Sequence, residues 1–121
     1  MDRKALVREY KSRPLEMGVY RIKNNVNGKV LIGSSKNLTG ILNRFRSELK
    51  LGCCRNEVLQ NEWNQSGPDA FEFEVVEVLA PMDDPAYDPE EDLKFLETYW
   101  LEKVMPYDDR GYNRKPGRRR L

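Results

Sequence analysis

The sequence predicts an α+β domain, a small three-stranded antiparallel sheet flanked by helices. Three patterns in its 121 residues point that way. Residues 18–23 and 29–34 are strand-like runs joined through Asn27-Gly28, the dipeptide best suited to the positive φ angles of a two-residue hairpin turn. Ala70 to Leu79 sets Phe71, Phe73 and Val75 against Glu72 and Glu74, the period-2 alternation of a strand with one wet face. Elsewhere apolar residues recur at three and four, the spacing of helices that bury one stripe.

The elements follow in order. Asp2 caps a short helix to about Lys11, ended by Pro14, which reads as an appendage (1–14) to a core spanning 17–113. After the hairpin, Asn37 to Leu51 forms a helix whose stripe is Leu38, Ile41, Leu42, Phe45 and Leu49; Gly52 stops it and Gly40 weakens it. A second helix, Asn56 to Asn64, presents Val58, Leu59 and Trp63 ahead of the Ser66-Gly67-Pro68 break. The strand at 70–79 pairs with the hairpin, and residues 81–88 form a loop. Asp88-Pro89-Glu90-Glu91 then supplies a cap, a proline at the first helical position and acids in the first turn, opening a helix to Val104 that Pro106 ends. Residues 1–113 make a single domain, and 114–121 a basic flexible tail.

Composition narrows the chemistry. At 39% hydrophobic and 34% charged, the chain has no run near the roughly 20 apolar residues of a membrane span, and its charged N-terminus lacks a secretory pattern. A cytoplasmic protein without a membrane partner is expected. Cys53 and Cys54 are adjacent, where a bridge would staple nothing, so free thiols are expected. The chain has no histidine, which disfavours a zinc site and removes the commonest general base near neutral pH. Tyrosine, carboxylate, lysine or metal-bound water must carry any catalysis. Net charge is +1, yet residues 1–55 hold 13 Lys and Arg against 4 Asp and Glu, whereas residues 56–110 hold 3 against 16. Such segregation gives a basic face and an acidic face unless the two sets pair in the fold.

One acid is out of pattern. Stepping about 100° per residue along the last helix puts Leu93, Leu96, Trp100, Leu101 and Val104 on one stripe, and Glu97 falls among them. A carboxylate on a core-facing stripe needs a compensating cation, metal or set of donors. Either an ion pair or a metal site satisfies it.

The string GVYRIKNNVNGKVLIGSSKNL, the helix LKFLETYWLEKV with its Glu97, and Gly111-Tyr112-Asn113 together resemble the GIY-YIG nuclease superfamily across residues 17–113. The resemblance implies a metal-dependent DNA endonuclease. Glu97 is then the metal ligand for one Mg²⁺ or Mn²⁺ ion, Tyr20 handles a proton at the attacking water, and Asn113 lies near the metal and phosphate. It further implies backbone binding of DNA, with low sequence specificity, through Lys29, Ser34, Ser35, Lys36, Arg46, Lys50 and Arg55. The acidic stretch 72–92 faces away from DNA or holds a protein partner.

Departures from the family pattern are concentrated in its reactive positions. Leu31 stands for the second motif's tyrosine, Ile41 for the helix arginine, Phe45 for a histidine or tyrosine, and Cys54 for a histidine found in some members. Arg44, one helical turn past Ile41, is the expected replacement on the phosphate, with Arg46 or Lys36 behind it. An altered, weakened nuclease is the first expectation, and a catalytically inactive module of the same fold, binding nucleic acid or a protein, the alternative.

Overall fold

Paired on both edges, β1 (Met17–Asn24) is the central strand of a three-stranded antiparallel sheet, with β2 (Val30–Ser35) on one side and β3 (Phe71–Leu79) on the other. The computed structural model describes residues 16–80 and 86–114. Three helices complete the chain: α1 (Leu38–Leu51), α2 (Glu57–Ser66) and α3 (Glu90–Val104). This is the α+β layout that the sequence predicts. The expected helix over residues 2–11, residues 81–85 of the expected loop and the tail beyond Arg114 lie outside the described residues.

The two faces of β1 carry different layers. Tyr20 and Ile22 join Leu31, Leu38, Leu42, Leu49, Leu59, Trp63 and Phe71 in the main core beneath α1 and α2. Because successive side chains in a strand point to opposite faces, Val19 and Arg21 belong to the other face, along with their register partners Ser34 and Ile32. Helix α3 packs on β1 and β2 there, burying Leu93. Cross-strand register also sets Arg21 opposite Glu74 and Lys23 opposite Glu72. Arg21 and Glu74 form an ion pair. The segregated charges therefore meet in the fold: Arg21–Glu74, Lys29–Glu62 and Lys36–Glu90 each join a base of the first half to an acid of the second.

The hairpin differs from expectation in its turn. Asn24 N donates to Lys29 O at 2.9 Å and Gly28 N to Asn24 O at 2.8 Å, so residues 25–28 make a four-residue loop rather than a two-residue turn. Gly28 does take the expected positive φ, 77°. The longer loop has a long-range cause, since Asn25 N is tied to Ala70 O at 2.8 Å just before β3, and the buried Asn24 side chain accepts from Val26 N at 2.9 Å.

Helix α1 is capped by Asn37, whose Oδ1 accepts from Gly40 N at 2.9 Å, and it ends on Gly52 in the left-handed region. A Cβ on Gly40 would lie 2.5 Å from the Asn37 amide nitrogen, so the helix-weakening glycine makes room for its own cap. Ordinarily Gly→Ala inside a helix stabilises by about 1 kcal/mol, close to what a side-chain cap contributes. Gly40→Ala is accordingly expected to bring no gain in Tm in the parent and a gain of several degrees in an Asn37→Ala background. Thermal melts of the four-member cycle measure this, and an equal gain in both backgrounds would contradict the cap. At the far end of the chain, α3 starts one residue later than expected, with Pro89 rather than Asp88 at the cap position and Asp88 Oδ1 accepting from Glu90 N at 3.0 Å, and Met105, with φ 51°, ends it one residue before Pro106.

Candidate active site

Glycines at the ends of the hairpin strands decide what approaches them. Gly18 has φ 155°, and a Cβ there would fall 2.0 Å from Glu77 O, so only glycine allows β1 to press against β3 at its irregular register. Gly33 lies directly across from Tyr20, and a Cβ on it would sit 2.4 Å from the phenol oxygen. Without that atom, the Tyr20 ring packs over Gly33 of the edge strand β2, within the main core. Phe45 of α1 packs against the ring with centroids 5.8 Å apart.

Glu97 comes to the same edge from the opposite face. It is half-buried on the inner side of α3, and Ser34 Oγ donates to its Oε2 at 3.2 Å. Among the described residues no cation pairs with it. The stripe anomaly in the sequence is thus a carboxylate turned toward the sheet and satisfied by a hydroxyl. Burial, and secondly the negative charge of Glu97, push the Tyr20 pKa up to about 12. An open cleft of about 510 Å³ surrounds Glu97, lined by Ser34, Ser35, Lys36, Glu90, Leu93 and Lys94, with Glu91 at its rim.

Asn113 clamps the outer edge of β2. Its Oδ1 accepts from Ile32 N at 2.8 Å and its Nδ2 donates to Ile32 O at 2.7 Å, while Tyr112 N donates to Val30 O at 2.9 Å and Gly111 bridges to Val30. Both functional ends of this amide are spent on the strand that carries Gly33 and Ser34. Its position is beside the site, and its observed work is to fix the backbone there.

Other expected residues are placed elsewhere. Arg44 Nε lies 3.3 Å from Glu48 along its own helix, and Arg46 stacks on the Phe73 ring at 4.6 Å while bonding Asn43. Lys29 is at the turn end of the hairpin, 3.0 Å from Glu62 and over the Tyr112 ring. Lys50 is exposed on the last turn of α1, and Arg55 borders a second groove formed with Asn56, Tyr112, Asn113 and Arg114. Of the expected residues, Ser34, Ser35 and Lys36 line the cleft at Glu97, while Tyr20 lies in the core on the other face of the sheet, near enough to feel the charge of Glu97. Leu31 and Cys54, standing at two family positions for reactive groups, are buried in the main core.

Glu62 has no distinguishing mark in the sequence, yet it organises the opposite end of the hairpin. Its carboxylate accepts from Asn24 Nδ2 at 3.1 Å, Lys29 Nζ at 3.0 Å, Tyr112 OH at 2.9 Å and from Asn27. Burial by itself raises its pKa, but the hydrogen bonds from Asn27, Lys29 and Tyr112 outweigh that and hold it below the usual carboxylate range. The acid joins α2, the hairpin loop and the Gly111-Tyr112-Asn113 segment, and so stabilises the platform on which Asn113 stands.

No model of an established family matches the chain. The hairpin thus carries a buried phenol in the core on one face, a half-buried carboxylate from α3 bonded to Ser34, and a Gly-Tyr-Asn segment that braces β2. Intron-associated endonuclease 1 of Enterobacteria phage T4 is 34% identical over 65 residues, which cover 54% of this chain and 26% of that protein. The chain thus spans about a quarter of the curated relative's length. A point variant of the catalytic domain of intron endonuclease I-TevI superposes with a TM-score of 0.67 at 27% identity, covering 82% of this chain and 93% of that domain. The catalytic domain of homing endonuclease I-TevI gives 0.65 at 28% identity, covering 80% and 96%. In fold and in sequence the chain is similar to the GIY-YIG nucleases represented by these catalytic domains.

Proposed function

We propose that this chain is a DNA endonuclease domain that hydrolyses phosphodiester bonds with a divalent metal ion and an altered, weakened active site. The observation that carries it is Glu97, a half-buried carboxylate held by Ser34 in an open cleft and, among the described residues, joined to no guanidinium.

The donor set suits Mg²⁺ or Mn²⁺. Such ions take hard oxygen ligands from one or two carboxylates and fill the remaining positions with water and substrate phosphate, which Glu97 in an open cleft satisfies. Among the described residues no group of three His, Cys, Asp or Glu surrounds a common point, so a closed cage of the zinc type does not form. Glu97 would hold the ion, and a bound ion supplies positive charge for the phosphate oxygens and the departing oxygen. Tyr20, over Gly33, would donate a hydrogen bond to the reacting groups, and Ser34 lines the phosphate's approach, while the Ser35 hydroxyl is held by Asn37. Arg44 reaches the phosphate only by leaving Glu48, whereas Lys36 already lines the cleft. Asn113 keeps the β2 edge in register.

A second reading, an inactive module that binds nucleic acid or a protein partner, draws on the burial of Leu31 and Cys54 and on Arg44 being paired within its helix. One experiment separates the two. Supercoiled plasmid is incubated with the protein and Mg²⁺ or Mn²⁺, with and without chelator, and duplex binding is measured at two salt concentrations. Metal-dependent nicking is the expected result. Salt-dependent binding without nicking would favour the inactive module, and neither activity would exclude DNA from both readings.

A further inference from the structure

We propose that Lys94, together with Lys36, supplies the positive charge on the substrate phosphate that the family's helix arginine would otherwise provide. This rests on the nuclease reading above and names a residue of that same site.

Phosphoryl hydrolysis builds negative charge on the oxygens around phosphorus, and a fixed cation there is among the largest contributions to rate. In this chain α1 supplies none at the cleft. Ile41 occupies the arginine position and packs against the core, Arg44 is joined to Glu48, and Arg46 lies on Phe73 and bonds Asn43. Among the described residues, the cations lining the cleft around Glu97 are Lys36 and Lys94.

Lys94 is three residues before Glu97 on α3, which brings the two side chains onto neighbouring positions of one helix face. It is exposed and has no ion pair or hydrogen bond among the described residues, so its ammonium is available to an incoming anion. Lys36, across the cleft on the segment after β2, lies 4.0 Å from Glu90, a loose pair between two exposed side chains. Glu90 and Glu91 also border the cleft, and their charge favours a metal ion or a cationic side chain over a bare phosphate. Two ammoniums on either side of Glu97 offset that repulsion. A lysine is a point charge on a flexible stem and lacks the bidentate fork of arginine, which fits a slower enzyme with loose substrate alignment.

The test compares the parent with Lys94→Gln, Lys94→Arg, Lys36→Gln and the Lys36→Gln/Lys94→Gln double variant, read by plasmid nicking, by duplex affinity across a salt series and by thermal melting. Expected are an unchanged melting temperature, a nicking rate about 10-fold or more lower in Lys94→Gln, restoration by Lys94→Arg, and a salt slope smaller by about 1 for each lysine removed. Parent-like nicking and slope in Lys94→Gln overturn the inference and leave the nuclease reading standing. If the parent binds duplex without nicking, the nuclease reading fails, and Lys94 is then judged by its affinity and salt slope alone, where no change overturns it. A parent that neither nicks nor binds overturns both.

Discussion

Glu97→Gln is expected to lower plasmid nicking by about 10²–10³-fold, the scale on which loss of one electrostatic contributor at a reacting phosphate is felt. The substitution keeps shape and removes charge. Ser34 Oγ donates to Glu97 Oε2 at 3.2 Å, and the glutamine carbonyl accepts the same bond, so the contact that fixes the side chain survives. Folding stability should move by no more than about 0.5 kcal/mol, because a half-exposed carboxylate without an ion pair loses little on neutralisation. Rate and stability are thereby separated in one variant. Nicking assays under excess Mg²⁺ or Mn²⁺, run beside thermal melts, give both readings. A variant that nicks at the parent rate would show that Glu97 holds nothing the reaction needs, whatever its burial.

The second large effect is on folding. Glu62→Ala is expected to destabilise the domain by about 3 kcal/mol, on the order of 10 °C or more in Tm for a chain of this size. Its carboxylate side chain is only 14% exposed and accepts from four donors. Removing it leaves the buried Asn24 amide, the Tyr112 hydroxyl and the Lys29 ammonium without their acceptor. Acid should reproduce part of this loss. Glu62 is held below the ordinary carboxylate pKa of about 4.3, so the stability it contributes is fully present above that value and disappears as pH falls through the lower folded-state value. In denaturant titrations, the gap between the parent and Glu62→Gln should be constant near neutrality and should shrink below about pH 4.3. A gap that widens on acidification would mean that burial, not the donor set, governs this group. Activity assays add a further check, since a loosened Gly111-Tyr112-Asn113 segment releases the clamp on Ile32 and should slow nicking even where the domain remains folded.

Much of this molecule was legible before any coordinate. The strand at 70–79, the α1 stripe and the acids opening α3 each depend on neighbours within a few residues, and the structure holds these elements, although the alternation lapses at Val75, which is 44% exposed beside the register irregularity with β1. Glu97 was legible for the same reason, because a charge interrupting a helical period is a local contradiction. The hairpin turn was legible in place and not in length, since Asn25 is drawn to Ala70, 45 positions away. Arg44 shows the limit most clearly. Its spacing from Ile41 made it a reasonable phosphate ligand, but spacing says nothing about whether Glu48 will take it first.

What the sequence by itself determined is the set of elements, their apolar faces, and one acid that needs a reason, because each follows from the 2.0- and 3.6-residue periods of a chain whose apolar atoms avoid water. Tertiary structure alone decided the partners. It spent Asn113 on the Ile32 backbone, Lys29 on Glu62 and Arg44 on Glu48, and it brought Lys94 and Lys36 to the cleft of Glu97. A polar side chain is committed by whichever complementary group the packed layers leave within about 3 Å, and that distance exists only once the sheet and helices have met.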